Sequence, residues 1–320
     1  MGLDSLSERV MSLSSIALTL LLLGCGDEQE PHVMLEMGCE QCGKGQVVQE
    51  GCQQCMIMAD NALGQNRPDI GKARQLYNKG CGVHHPESCS KLAAMVSEGR
   101  GGPPDLKRAN DLYGIACEKG SMQSACTEWA LSMYDGASMK QDQERAVALF
   151  DTACTHEEQA QPKACAALGL AYFEGVGVER RDQEKGVELL KASCTDNFAP
   201  GCVQTALAHL GWSRGSRRAN VEIAEEAFER ACKVDPQHGC FELAELHEDN
   251  KAIDSSPEKA AIFYQKTCNI DPTRGCFEAA ELMAEGKVEA RNSEIASLYN
   301  LACEHGHSEA CSKRSKFIEP

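Results

Sequence analysis

Aromatic side chains and positive charge are both scarce in this chain. Only 5% of its 320 residues are aromatic, tryptophan occurs twice, and 32 Lys and Arg face 48 Asp and Glu, for a formal net charge of −16. A chain this acidic lacks the basic face that phosphate backbones require, which excludes nucleic acid as a partner and turns attention to basic ones. Long apolar runs are missing too: after residue 25 no stretch is long enough to cross a bilayer as a helix. Few aromatics suit a fold built on alanine, leucine and one larger ring per helix.

Cysteine is what the chain has in excess. Of 19 cysteines, fourteen fall into seven evenly spaced pairs: Cys81/Cys89, Cys117/Cys126, Cys154/Cys165, Cys194/Cys202, Cys232/Cys240, Cys268/Cys276 and Cys303/Cys311. The first members follow one another at 35 to 40 residues. A period in the mid-thirties marks a helix-turn-helix array, not a compact enzyme domain. Recurring pairs also place folding in a compartment where thiols oxidise.

Counting back from each first cysteine exposes one helix face. Four residues earlier stand Tyr77, Tyr113, Phe150, Leu190, Phe228, Tyr264 and Tyr299, and eight earlier stand Ala73, Ala109, Ala146, Gly186, Ala224, Ala260 and Ile295. These offsets belong to a single apolar stripe of an α-helix. Counting forward from each second cysteine gives the partner helix. Four residues on come Ala93, Ala130, Gly169, Ala206, Ala244 and Ala280, small enough for two backbones to approach closely. Seven on come Met133, Tyr172, His209, His247 and Met283. Of these, Tyr172, His209 and His247 are candidates for a groove in which successive first helices present side chains to a ligand, with filling of the helix contact as the alternative for the two histidines.

The N-terminus differs from the rest. Ile16–Leu23 is a short apolar core followed by Gly24, Cys25 and acidic Asp27 and Glu28. That length suits a signal peptide and is too short for a membrane helix. Leu22-Leu23-Gly24-Cys25 resembles a bacterial lipobox, which implies cleavage after residue 24 and a lipid on Cys25. The alternative is a plain secretory leader with an incidental cysteine. Removing Cys25 leaves eighteen cysteines, an even number that permits nine disulfides with no stray thiol.

Ala167-Leu168-Gly169-Leu170-Ala171-Tyr172-Phe173-Glu174-Gly175-Val176-Gly177-Val178, with Asp182 and Lys185 following, resembles the Sel-one-like repeat, an α/α relative of the tetratricopeptide repeat. With the cysteine pair added, the chain is similar to the helicobacter cysteine-rich proteins over roughly residues 50 to 315. This resemblance implies one bridge per repeat, joining the end of one helix to the start of the next: Cys81–Cys89, Cys117–Cys126, Cys154–Cys165, Cys194–Cys202, Cys232–Cys240, Cys268–Cys276 and Cys303–Cys311. It also raises β-lactam binding or β-lactamase-like hydrolysis as an alternative function.

Four cysteines remain near the N-terminus. Cys39-x-x-Cys42 and Cys52-x-x-Cys55 could close a tetrahedral zinc site. Repeat register favours another reading, because Cys52 precedes Cys81 by the interval that separates the other second and first cysteines. Cys42–Cys52 and Cys39–Cys55 bridges then make a double-stapled helical hairpin.

Ser88-Cys89-Ser90-Lys91 and Ser256-Pro257-Glu258-Lys259 both fit S-x-x-K, the nucleophile motif of penicillin-recognising enzymes. Partner motifs such as S-D-N and K-T-G are missing, and both serines read as helix-boundary residues. No catalytic residue, cofactor or metal is therefore expected. His84-His85 and His305-x-His307 are expected as ordinary turn histidines.

The sequence thus predicts an all-α protein: an α/α solenoid of about seven disulfide-stapled repeats wound into a superhelix. Its expected parts are a lipoprotein signal over 1–24, a tether over 25–38, the hairpin over 39–63, repeats over 52–311 and a capping segment over 311–320. The expected role is non-enzymatic: binding of a protein or peptide on the concave face. The expected location is the bacterial cell envelope at the outer membrane, held by the lipid anchor alone. A structural spacer with no specific ligand is the third reading.

Overall fold

In the computed structural model, the described residues are 39–40, 42, 48–136, 138–195, 197–211, 217–249 and 256–317. They form fifteen α-helices and no β-strand. The predicted leader, Cys25 and the tether lie outside them, as do residues 318–320 of the cap. By its contacts the chain divides into two compact units, Met1–Val83 and His84–Pro320.

In the first unit, α1 (Val48–Leu63) packs antiparallel to α2 (Ile70–Cys81). Cys39 is bridged to Cys55 and Cys42 to Cys52, with Cα–Cα separations of 4.5 and 4.6 Å. With all four sulfurs in bridges, none is available as a zinc thiolate. They form a buried cluster with Met58, against which Leu76 and Val83 pack.

The second unit continues with α3 (Pro86–Ser97), α4 (Leu106–Gly120), α5 (Gln123–Asp135), α6 (Gln143–Thr155), α7 (Pro162–Glu174), α8 (Gln183–Ser193), α9 (Ala199–Gly211), α10 (Arg217–Val234), α11 (Pro236–Asp249), α12 (Pro257–Cys268), α13 (Phe277–Ala284), α14 (Asn292–Glu304) and α15 (Ser308–Lys313). A π-helical turn over Pro272–Cys276 leads into α13. Each helix packs on its sequence neighbours, and the odd-numbered α5, α7, α9 and α11 also pack in succession against one another. That is the connectivity of an α/α solenoid, in which each unit touches only its neighbours.

Local chemistry starts five of the second helices. Asp69, Asp105, Asp142 and Asp182 are N-caps whose carboxylates accept the backbone N–H three residues on, and Ser256 does the same with its hydroxyl. The N–H groups of Asp105, Asp142 and Asp182 also reach back to carbonyls near the end of the preceding first helix, at 2.9–3.0 Å. Each cap thus satisfies an orphan donor and folds the connecting loop, a contribution of about 1 kcal/mol.

Packing follows the two stripes. The rings and leucines four residues before each first cysteine are buried, apart from half-buried Tyr113. The small residues four after each second cysteine are buried against them. The crossing of α7 and α8 is the tightest case. A Cβ on Gly186 would lie 2.7 Å from the Gly169 carbonyl oxygen and 2.8 Å from the Phe173 nitrogen. A Cβ on Gly169 would in turn lie 2.9 Å from the Gly186 oxygen. Glycine thus replaces alanine on both helices at once.

Bridges close the turns between repeats: Cys117–Cys126, Cys154–Cys165, Cys194–Cys202, Cys232–Cys240, Cys268–Cys276 and Cys303–Cys311, with Cα–Cα separations of 4.2–4.7 Å. Cys81 and Cys89 are each disulfide-bonded as well.

Candidate functional site

A first helix has two sides. The stripe containing positions four and seven beyond the second cysteine faces inward. Met133, His209 and His247 are each 1% exposed. The proposed groove histidines are therefore core residues, corrected by a simple rule: a residue on the same stripe as the small packing residue must face the partner helix.

His247 lies between α10 and α12. Its Nε2 is 3.4 Å from the Glu225 carboxylate, and its ring stacks on Phe263 with centroids 5.7 Å apart. Burial, seconded by nearby Lys259, lowers its pKa below the usual histidine range. His209 is lowered likewise by burial and then by Lys191, while a hydrogen bond with Asn220 acts in the opposite direction.

Tyr172, at the same position in α7, is half-buried and borders an open cavity of about 700 Å³ between α6 and α8. The Lys185 ammonium sits over its ring, 3.8 Å from the centroid. The cavity recurs along the array. Asp151, Lys191 and Gln265, each three residues before a first cysteine, line one wall in successive cases. Lys185, Ile223 and Glu294, each nine before the following one, line the other. The later two cavities measure about 330 and 450 Å³. All three lie at one register between consecutive second helices. Their linings share no chemistry.

The open side of the first helices consists of positions two, five and nine beyond the second cysteine. At position five stand Ala94, Leu131, Leu170, Leu207, Glu245 and Glu281, all half-buried or exposed, with Leu207 at 46%. At position two stand Lys91, Glu128, Ala167, Gln204, Glu242 and Glu278, all half-buried. This face escaped the sequence reading, although its signal was present: the stripe opposite the small residues is the one the helix pair leaves open.

The two S-x-x-K serines hold boundary positions. Ser88 is 0% exposed, and its hydroxyl lies 2.9 Å from His85 Nδ1, the same atom that caps α3 by accepting the Ser88 N–H. Ser256 caps α12 and donates to Glu258 at 2.6 Å. His307 caps α15 as His85 caps α3. Among the described residues no group of three or more His, Cys, Asp or Glu is placed to hold a metal ion.

Caps, stripes and bridges together define an α/α-repeat protein with an open first-helix face. The Sel1 repeat profile matches residues 62–81, 86–121, 123–157, 162–198 and 237–270, about half of the chain in all, and the chain belongs to the Sel1 repeat family. Among curated proteins it is similar to cytochrome c oxidase assembly factor 7 of Xenopus tropicalis, 26% identical over 214 residues, which cover 66% of this chain and 74% of that protein. Among solved structures it is similar to a protective antigen of uropathogenic Escherichia coli displaying an SLR fold. That match has TM-score 0.62 and 18% identity, covering 86% of this chain and 57% of that longer one. A Sel1 repeat protein from Oxalobacter formigenes also aligns with TM-score 0.62, at 17% identity over 79% of this chain and 99% of that one. At these identities both structures speak for the fold.

Proposed function

We propose that the protein is a non-enzymatic scaffold that seats a protein or peptide on its first-helix face, and that it works exported and lipid-anchored through Cys25 in the bacterial cell envelope, at the outer membrane. The observation that carries the binding role is the row Leu131, Leu170 and Leu207. Leu207 is 46% exposed, and Leu131 and Leu170, packed in part against the cores beneath them, keep the rest of their apolar surface on the open side of consecutive helices. Repeat arrays present such rows side by side, so a ligand lying along the array meets them in order. Export is supported by the apolar core ahead of Cys25 and by the bridges, which need an oxidising compartment. The designation of the Xenopus relative as an assembly factor accords with a scaffold.

A photo-crosslinking residue placed at Leu207 in cells should capture a reproducible partner. The same probe at Ile262, 53% exposed on a second helix, should not. Equal capture at the two positions, or none at either, defeats the binding reading.

A further inference from the structure

Charge is distributed unevenly along the first-helix face, and the unevenness specifies a partner. On α5, α7 and α9 the open positions are Leu131, Leu170 and Leu207, with uncharged Ala167 and Gln204 beside them. At positions two and five of these three helices the one carboxylate is Glu128, paired with Lys163 at 2.6 Å, while at position nine Asp135 and Glu174 are exposed. On α11 and α13 the equivalent positions change to Glu242 and Glu245, then Glu278 and Glu281. Arg274 lies 3.7 Å from Glu245, and Lys313 lies 2.7 Å from Glu281. Negative charge still accumulates at this end of the face. Half-buried Glu278 stands there with its pKa raised by burial first and then by the charges of Glu248 and Glu281.

We infer that the first-helix face receives an extended peptide segment in which an apolar stretch adjoins a run of Lys or Arg, the apolar part lying over Leu131, Leu170 and Leu207 and the basic part over Glu245 and Glu278. This rests on the first-helix face being the binding face. Adjacent helices stand about 10 Å apart, so the five helices from α5 to α13 span roughly 40 Å, or about twelve residues of extended chain. A second copy of this chain is a poor occupant, because a molecule with net charge −16 does not complement an acidic end.

The test is selection from a displayed library of random peptides of about twelve residues, on the purified oxidised protein. The selected peptides are then titrated by fluorescence anisotropy against the wild type, Leu207→Asp and Glu245→Lys. Both substituted side chains are exposed, and far-UV circular dichroism melts check that both variants fold. The expected result is enrichment of peptides joining an apolar stretch to a basic one. Their affinity should fall about ten-fold or more with either variant, and their binding to the wild type should weaken with added salt. Enriched peptides of another composition that are weakened by the same variants would overturn this inference and leave the binding face standing. No enrichment, or binding indifferent to both variants, would overturn the inference and the binding face together.

Discussion

The Tyr264 hydroxyl donates a hydrogen bond to Glu248 Oε2 at 3.1 Å, and this pairing has counterparts along the chain. Tyr264 stands four residues before a first cysteine, and Glu248 stands eight after the preceding second cysteine. At the same two positions Tyr77 donates to Asp60, and Tyr113 hydrogen-bonds with Ser97. Where the ring position lacks a hydroxyl, the other position is not acidic: Phe150 meets Tyr134 with ring centroids 5.8 Å apart, and Leu190 and Phe228 stand opposite Phe173 and Leu210 in register. Tyr299, whose partner position holds Ala284, donates to Glu281 instead, at 2.5 Å. A phenol whose ring is buried needs an acceptor for its hydroxyl, so the two positions change together.

Tyr264→Phe removes the donor and leaves the half-buried Glu248 with Lys287 alone at 3.1 Å. A loss of about 1–2 kcal/mol in urea unfolding is expected. Adding Glu248→Leu, which imitates the apolar repeats, should recover part of it. A double variant less stable than Tyr264→Phe would show that the two positions are not coupled in this way.

Acid should destabilise the fold through its buried histidines. His85, His209 and His247 all have pKa values lowered chiefly by burial, so the folded state holds fewer protons than the unfolded one. Their stabilising effect is complete above pH 6.5, the unfolded value, and is lost as pH falls through the lower folded values. Urea midpoints measured from about pH 7.5 to about 5 should drop, and His247→Gln should make that drop shallower.

Gly186→Ala would normally favour a helix by about 1 kcal/mol. Here the new methyl meets the backbone of α7, so a net loss of about 1–3 kcal/mol is expected. Ala146→Gly, at the equivalent position without the glycine pair, should destabilise for the opposite reason, by cavity and helix propensity. Thermal melts of the two variants would separate these causes.

Cys117→Ser with Cys126→Ser opens a loop with a sequence separation of 9. Chain entropy alone predicts a loss of about 2.5–3 kcal/mol for a loop of that length. Unfolding of the variant by guanidinium, compared with the oxidised parent, measures it. An unchanged midpoint would mean that helix packing holds the turn without the bridge.

Asp182→Ala should cost about 1 kcal/mol through the lost cap on the Lys185 N–H. It should also loosen the loop that borders the cavity at Tyr172. Hydrogen exchange of the Lys185 amide would report the first effect directly.

Much of this protein is local, and what is local is legible in the chain. The period of the cysteine pairs, the aspartate before α2, α4, α6 and α8 and the small residue at one fixed offset all act within one helix-turn-helix unit. Repeat number, helix order and the position of the turns can therefore be read from spacing. The direction in which position seven faces depends on the neighbouring helix, and it was tertiary packing that put His209 and His247 in the core and Tyr172 at a cavity edge. The same holds for the leucine row. Leu131, Leu170 and Leu207 are 37 to 39 residues apart in sequence, and only the stacking of α5, α7 and α9 makes them one surface. A helix sets which residues share a stripe; which stripe stays open to solvent is set by the elements packed against the other one.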